Sequence, residues 1–102
     1  MKIEFQTPYG KVPEKLVSEI RNEIIELTHI NKNISRAEVL LKEDEAIISA
    51  ENKICEIRLS VYGHDLFAHA RTENFKNSSK EVIKDLKKRL MQREKKQKET
   101  IV

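Results

Sequence analysis

Tryptophan is missing from this 102-residue chain and aromatic residues make up only 5% of it. The core must therefore be small and aliphatic, and a large ligand cavity is not expected. Cys55 is the single cysteine, so an internal disulfide is excluded and a reducing compartment fits. Two Gly and two Pro leave no material for flexible linkers or low-complexity arms. Apolar stretches such as Val39-Leu40-Leu41 fall far short of the ~20 residues that span a bilayer. The opening Met1-Lys2-Ile3-Glu4-Phe5 alternates and carries an acid, unlike the apolar core of a secretory signal. The expectation is a cytoplasmic protein with no membrane contact.

What the chain has in plenty is charge, at 36% of residues, and that charge is unevenly placed. Residues 1–75 hold ten Lys and Arg against thirteen Asp and Glu, net −3, whereas residues 76–98 hold ten basic residues against three acids, net +7. A nearly neutral body with a basic C-terminal element is the pattern of a protein that lays that element on phosphates. The bland alternative is a solvated helix face.

The local patterns give an element order. Lys2 to Thr7 alternates with Ile3 and Phe5 on one side, as in a short half-buried strand. Pro13 stands where a first helical residue is tolerated, followed by Glu14. Leu16, Val17, Ile20, Ile24 and Leu27 then recur at helical spacing up to about His29, with Glu19, Glu23 and Glu26 on other faces. Asn31-Lys32-Asn33 ends that helix in turn geometry. Ser35 to Lys42 alternates again, with Ala37, Val39 and Leu41 on one side and Arg36, Leu40 and Lys42 on the other. Glu43 to Asn52 reads as a loop, within which Ala46-Ile47-Ile48 could extend either neighbouring strand. Ile54 to Tyr62 and Leu66 to Thr72 form a hairpin about Gly63-His64. Tyr62 is expected opposite Asp65, and Glu56 near Arg71. The last helix starts either with Asn74 as a cap or at Ser78, where Ser78-Ser79-Lys80-Glu81 reads as a capping box. Its stripe is Phe75, Ser79, Val82, Ile83, Leu86 and Leu90, with Lys84, Lys88 and Lys95 opposite. Beyond Leu90 the apolar side runs out while the helical composition does not, so the helix is expected to overrun the core as a basic projecting end, with residues 92–102 a basic, frayed tail.

Two helices with one apolar stripe each must share one face of a sheet. The fold class is therefore α+β, in the order β-α-β-β-β-α, with a four-stranded mixed sheet, both helices on one face and the other face wet. The first helix serves as a right-handed crossover between two parallel strands.

Chemistry finds little support in the residues. His64, Asp65 and His69 lack a fourth ligand and fall on a turn and a strand, so no metal is expected. Cys55 belongs to the buried face and His69 to the wet one, which keeps a nucleophile from its base. With no glycine-rich phosphate loop and no serine elbow, neither an enzyme, a cofactor nor a small-molecule substrate is indicated.

Three stretches carry a resemblance: Ala37-Glu38-Val39-Leu40-Leu41-Lys42, Leu66-Phe67-Ala68-His69-Ala70-Arg71-Thr72-Glu73-Asn74-Phe75, and Ile83-Lys84-Asp85-Leu86-Lys87-Lys88-Arg89-Leu90 with its basic tail. The chain resembles the ribosome hibernation-promoting factor family, also called sigma-54 modulation or ribosome-associated inhibitor proteins, in its short single-domain form. That resemblance implies a double-stranded-RNA-binding-like fold seated on the 16S rRNA of the small ribosomal subunit, in the channel used by messenger and transfer RNA. It implies inhibition of translation in stressed bacterial cells by a protein that is monomeric when free. The family's basic last helix maps onto Lys80, Lys84, Lys87, Lys88 and Arg89, and its tail onto Arg93, Lys95, Lys96 and Lys98. Arg36, Lys42, Arg58, His69 and Arg71 on the wet sheet face form a secondary candidate surface. Several features depart from the family: Val12-Pro13 before the first helix, Lys76 at a place often aromatic, and the absence of the dimerisation domain of long members. Two other classes remain open, a general RNA-binding or transcription-associated module using the same helix, and a protein adaptor using Leu40, Tyr62, Phe67 and Arg71.

Overall fold

The computed structural model describes residues 1–8, 10, 12–45 and 50–100, with side chains described outside 93–100. The elements run β1 (Lys2–Gln6), α1 (Glu14–Leu27), β2 (Ile34–Glu43), β3 (Lys53–Val61), β4 (His64–Thr72) and α2 (Phe75–Thr100). The sheet order is β1-β2-β3-β4, with β1 parallel to β2 and the remaining pairs antiparallel. This is the α+β architecture expected from the sequence.

Helix α1 forms because Ile20, Ile24 and Leu27 recur on one side, and all three are buried. Pro13 sits one position earlier than expected. It is the N-cap, with φ −59° and ψ 137° and no side-chain cap, and its carbonyl accepts from the Leu16 and Val17 amides. A proline lacks the N–H that a helix start leaves unpaired, so the position costs no hydrogen bond. At the other end Asn31 is buried, and its Oδ1 accepts from the Asn33 amide at 2.8 Å. That Asx turn redirects the chain into β2 without any left-handed residue.

The inner sheet face is set by register. Val39 lies between Phe5 on β1 and Ile57 on β3, while Leu41 faces Cys55, and Ile57 faces Ala68. These join the two helices in one core, in which Ile24, Leu41, Ile57, Leu59, Leu86 and Leu90 have no exposed surface. Each such side chain contributes roughly 1.5–3 kcal/mol through burial. Leu16 is only partly buried against that core.

Two local expectations need correction. The β3–β4 connection is Tyr62-Gly63, with Val61 opposite His64. Gly63 takes φ +95°, which a β-branched or bulky residue rarely adopts, so glycine occupies the second turn position rather than the first. The pairing shifts by two residues, so the faces survive, but Glu56 lies opposite His69 and Arg71 opposite Ile54. At the other hairpin Glu43 pairs with Lys53 and the Asp44 amide donates to the Asn52 carbonyl at 2.9 Å. The ladder therefore continues into the segment read as a loop. Ala46-Ile47-Ile48 lies outside the described residues.

Helix α2 starts at its first expected cap. Asn74 Oδ1 accepts from the Asn77 amide at 2.8 Å. Ser78 is no cap but a buried tie between helix and sheet, its Oγ 2.7 Å from the Lys53 carbonyl and 2.8 Å from Thr72 Oγ1. The predicted stripe of Phe75, Ser79, Val82, Ile83, Leu86 and Leu90 is buried throughout. Beyond Leu90 the helical backbone continues to Thr100, the overrun past the core that its composition leads one to expect. The run Gln92-Arg93-Glu94-Lys95-Lys96-Gln97-Lys98-Glu99 is made of good helix formers, which explains the continuation.

Candidate nucleic-acid interface

With its apolar stripe turned to the sheet, α2 points Lys84 and Lys88 directly away from the core, and both are exposed. The spacing of four residues stacks Lys80, Lys84 and Lys88 in a row along the axis. Among the described residues Lys84 and Lys88 make no ion pair. Lys87 lies toward α1, in a groove it shares with Glu23, Glu26 and Ile83. Lys80 borders Glu51, Glu73 and Glu81. The side chains of Arg93, Lys95, Lys96 and Lys98 lie outside the described residues.

Arg89 behaves differently from its neighbours. Its Nη1 donates to the Phe67 carbonyl of β4 at 2.7 Å, and its Nη2 lies 2.8 Å from Asp85. The sequence gives Arg89 as one more cation of the helix, but the fold uses it to join helix to sheet. Only the helical wheel carried a hint, since Arg89 falls on the flank opposite Lys87.

The secondary candidates on the sheet face are largely neutralised by nearby carboxylates. Arg36 Nη2 lies 2.7 Å from Glu4 and 3.1 Å from Glu38. Lys42 lies 3.7 Å from Glu56 and Arg71 lies 3.9 Å from Asp44. Hydrogen bonds from Lys2 and then Arg36 hold the Glu4 carboxyl below its usual value. Arg58 instead lies over the Phe67 ring, with His69 tilted beside the same ring. The pairings of Arg36 with Glu4 and of Lys42 with Glu56 depend on cross-strand register, which sequence alternation cannot give.

Cys55 is fully buried, and burial pushes its thiol up to about 12, so it is an inert core side chain. Among the described residues no cluster of three or more His, Cys, Asp and Glu could hold a metal ion. No helix of the described residues is long and apolar enough to cross a membrane.

A ribosomal subunit interface protein from Coxiella burnetii superposes with a TM-score of 0.77 at 14% identity, over 92% of this chain and 98% of that one. The N-terminal domain of Thermus thermophilus Protein Y gives 0.69 at 10% identity, over 89% of this chain and 93% of that one. At such identities these likenesses establish the fold. A comparison with curated protein sequences finds no match. The sequence model that describes sigma 54 modulation protein / S30EA ribosomal protein matches residues 3–98, and the chain belongs to that ribosome-associated, non-enzymatic family.

Proposed function

We propose that this protein is a hibernation factor that inhibits translation by binding the small ribosomal subunit, with the outer face of α2 against 16S rRNA in the messenger and transfer RNA channel. Residues 1–102 act as one ribosome-binding domain, monomeric when free and working in the cytoplasm, where ribosomes are. The observation that carries the reading is the row of unpaired lysines. Lys84 and Lys88 stand clear of any described carboxylate, whereas Arg36, Lys42 and Arg71 on the sheet are paired. An unpaired cation can displace counterions from a phosphate without first breaking an ion pair. Lys80 and Lys87 widen the row, and Lys95, Lys96, Lys98 and Arg93 extend the basic sequence beyond it. Family membership over residues 3–98 supports the ribosome as the partner. The acidic Glu19, Glu23 and Glu26 of α1 disfavour an approach of RNA from that side.

Co-sedimentation with ribosomes across a salt series tests this. Reversing Lys84 and Lys88 to Glu should weaken binding and flatten the salt dependence by about one to two units, at roughly 0.9 per phosphate contact on a duplex. Reversing Arg36 and Arg71 should change little. If the sheet pair abolishes binding and the helix pair is silent, the helix is not the RNA surface.

A further inference from the structure

Phe67 on β4 is an aromatic ring 41% exposed on a sheet face made mostly of charged pairs, and the lysine row gives it no role. Arg58, opposite it on β3, holds its guanidinium 5.8 Å from the ring centroid. The His69 ring lies at a centroid separation of 5.8 Å with the planes 38° apart. Among the described residues Arg58 has no carboxylate partner, unlike Arg36, Lys42 and Arg71. Beside the ring is a shallow depression of about 200 Å³, lined by Gln6, Glu38, Leu40, Glu56 and Arg58 together with Phe67.

The lining selects among ligands. A phosphate would meet the carboxylates of Glu38 and Glu56 and be repelled. An apolar peptide side chain would strip water from both carboxylates and the Gln6 amide without replacing it. A flat, uncharged group with amino donors at its edge satisfies every wall. Its π-face lies on Phe67, its donors reach a carboxylate, and its acceptors meet Arg58 or Gln6. Glu38 and Glu56 are each engaged by a neighbouring cation through Oε1, which leaves Oε2 to accept.

We propose that this depression binds a nucleobase, stacking an unpaired base of single-stranded RNA on Phe67 and reading its exocyclic amine through Glu38 or Glu56. Base–aromatic stacking on an open sheet is a recurrent means of holding single strands, and a glutamate accepts well from the N4 amine of cytosine. Uracil has no exocyclic amine and is the disfavoured base. Arg89 ties the backbone carbonyl of Phe67 to α2, but no described residue of α2 lines the depression. It does not depend on that row for its chemistry.

NMR titration of the ¹⁵N-labelled full chain with six-nucleotide oligocytidine and oligouridine RNAs tests the site. Amide shifts are expected at Leu40, Glu56, Arg58, Phe67 and His69, with oligocytidine bound more tightly. Phe67→Leu should weaken oligocytidine binding by about five- to hundred-fold, the range for one lost stack, and Phe67→Tyr should retain it. Exposure of the ring predicts unchanged melting in both variants. Lys84→Glu with Lys88→Glu should leave the Phe67 shifts in place, so a failure of the helix surface is distinguishable from a failure of this one. Shifts confined to α2, or equal affinity for the two RNAs with Phe67→Leu silent, would overturn the proposal. If Phe67→Leu lowers ribosome co-sedimentation but spares oligonucleotide binding, the ring docks a protein and the proposal also fails.

Discussion

The open face of the sheet and the outer face of α2 are both rich in cations, yet they hold them in opposite ways. On the sheet, Arg36 of β2 reaches Glu4 of β1 at 2.7 Å, and Lys42 of β2 lies 3.7 Å from Glu56 of β3. Neighbouring strands come from distant parts of the sequence, so register can set opposite charges side by side. On α2, Lys80, Lys84 and Lys88 follow one another at intervals of four, and among the described residues Lys84 and Lys88 make no ion pair. Like charges at that spacing cost a few tenths of a kcal/mol per pair. The core beneath them offsets that cost, so the fold tolerates an unpaired row.

Both surfaces hang on the same core, so the largest effect comes from breaking it. Leu86→Ala should lose ~2–5 kcal/mol in urea unfolding, since Leu86 is fully buried and its removal leaves a cavity. Next comes the tie between α2 and the sheet. Ser78→Ala removes a buried hydroxyl that lies 2.7 Å from the Lys53 carbonyl, and should cost ~1–3 kcal/mol by the same measurement.

A pH series separates the core from the surfaces. Cys55 is held as the neutral thiol with its pKa raised from 9.0 to about 12. A raised acid stabilises the fold fully below its unfolded value and loses that contribution as pH climbs from 9 toward 12. Melting of the native protein should therefore fall faster than that of Cys55→Ala above pH 9. Glu4 titrates in the opposite sense. Its depressed pKa adds stability above the usual carboxylate range and loses it as pH falls, and Glu4→Gln should flatten only that acid limb, by a small amount because the group is exposed.

The sharpest test of the comparison is also the smallest in energy. Lys84→Glu places an acid between Lys80 and Lys88, so it should raise unfolding stability by ~0.5 kcal/mol while weakening ribosome binding. A loss of stability instead would mean that the row is not a line of mutual repulsion.

How much of this could be read beforehand differs by region. The stripe of α2 from Phe75 to Leu90 was legible because a single helix encodes its faces in spacing alone. The β-α-β-β-β-α order followed from alternation and from two stripes needing one sheet. The hairpin slipped because Tyr62-Gly63 and Gly63-His64 both place a glycine in the turn, and only the φ of +95° at Gly63 decides between them. Ser78 fitted a capping box by pattern, but proximity to Lys53 and Thr72 is a tertiary fact. The cations Lys84 and Lys88 were placed correctly on the outer face. Pairing of Arg36, Lys42 and Arg71, and the capture of Arg89, lay in contacts between elements that no spacing records.

Arg89 bears on more than the attachment of a helix. β4 is the last strand of the sheet, and the outward carbonyl of a terminal strand invites hydrogen bonding from another chain. By occupying the Phe67 carbonyl at 2.7 Å, Arg89 takes away one acceptor along that open edge and lays a charged side chain across it. A strand approaching from a second molecule would have to displace the guanidinium before it could add to the ladder. The arginine that looks by sequence like another phosphate ligand thus also covers part of an open strand edge. Its loss should show first as self-association at high protein concentration.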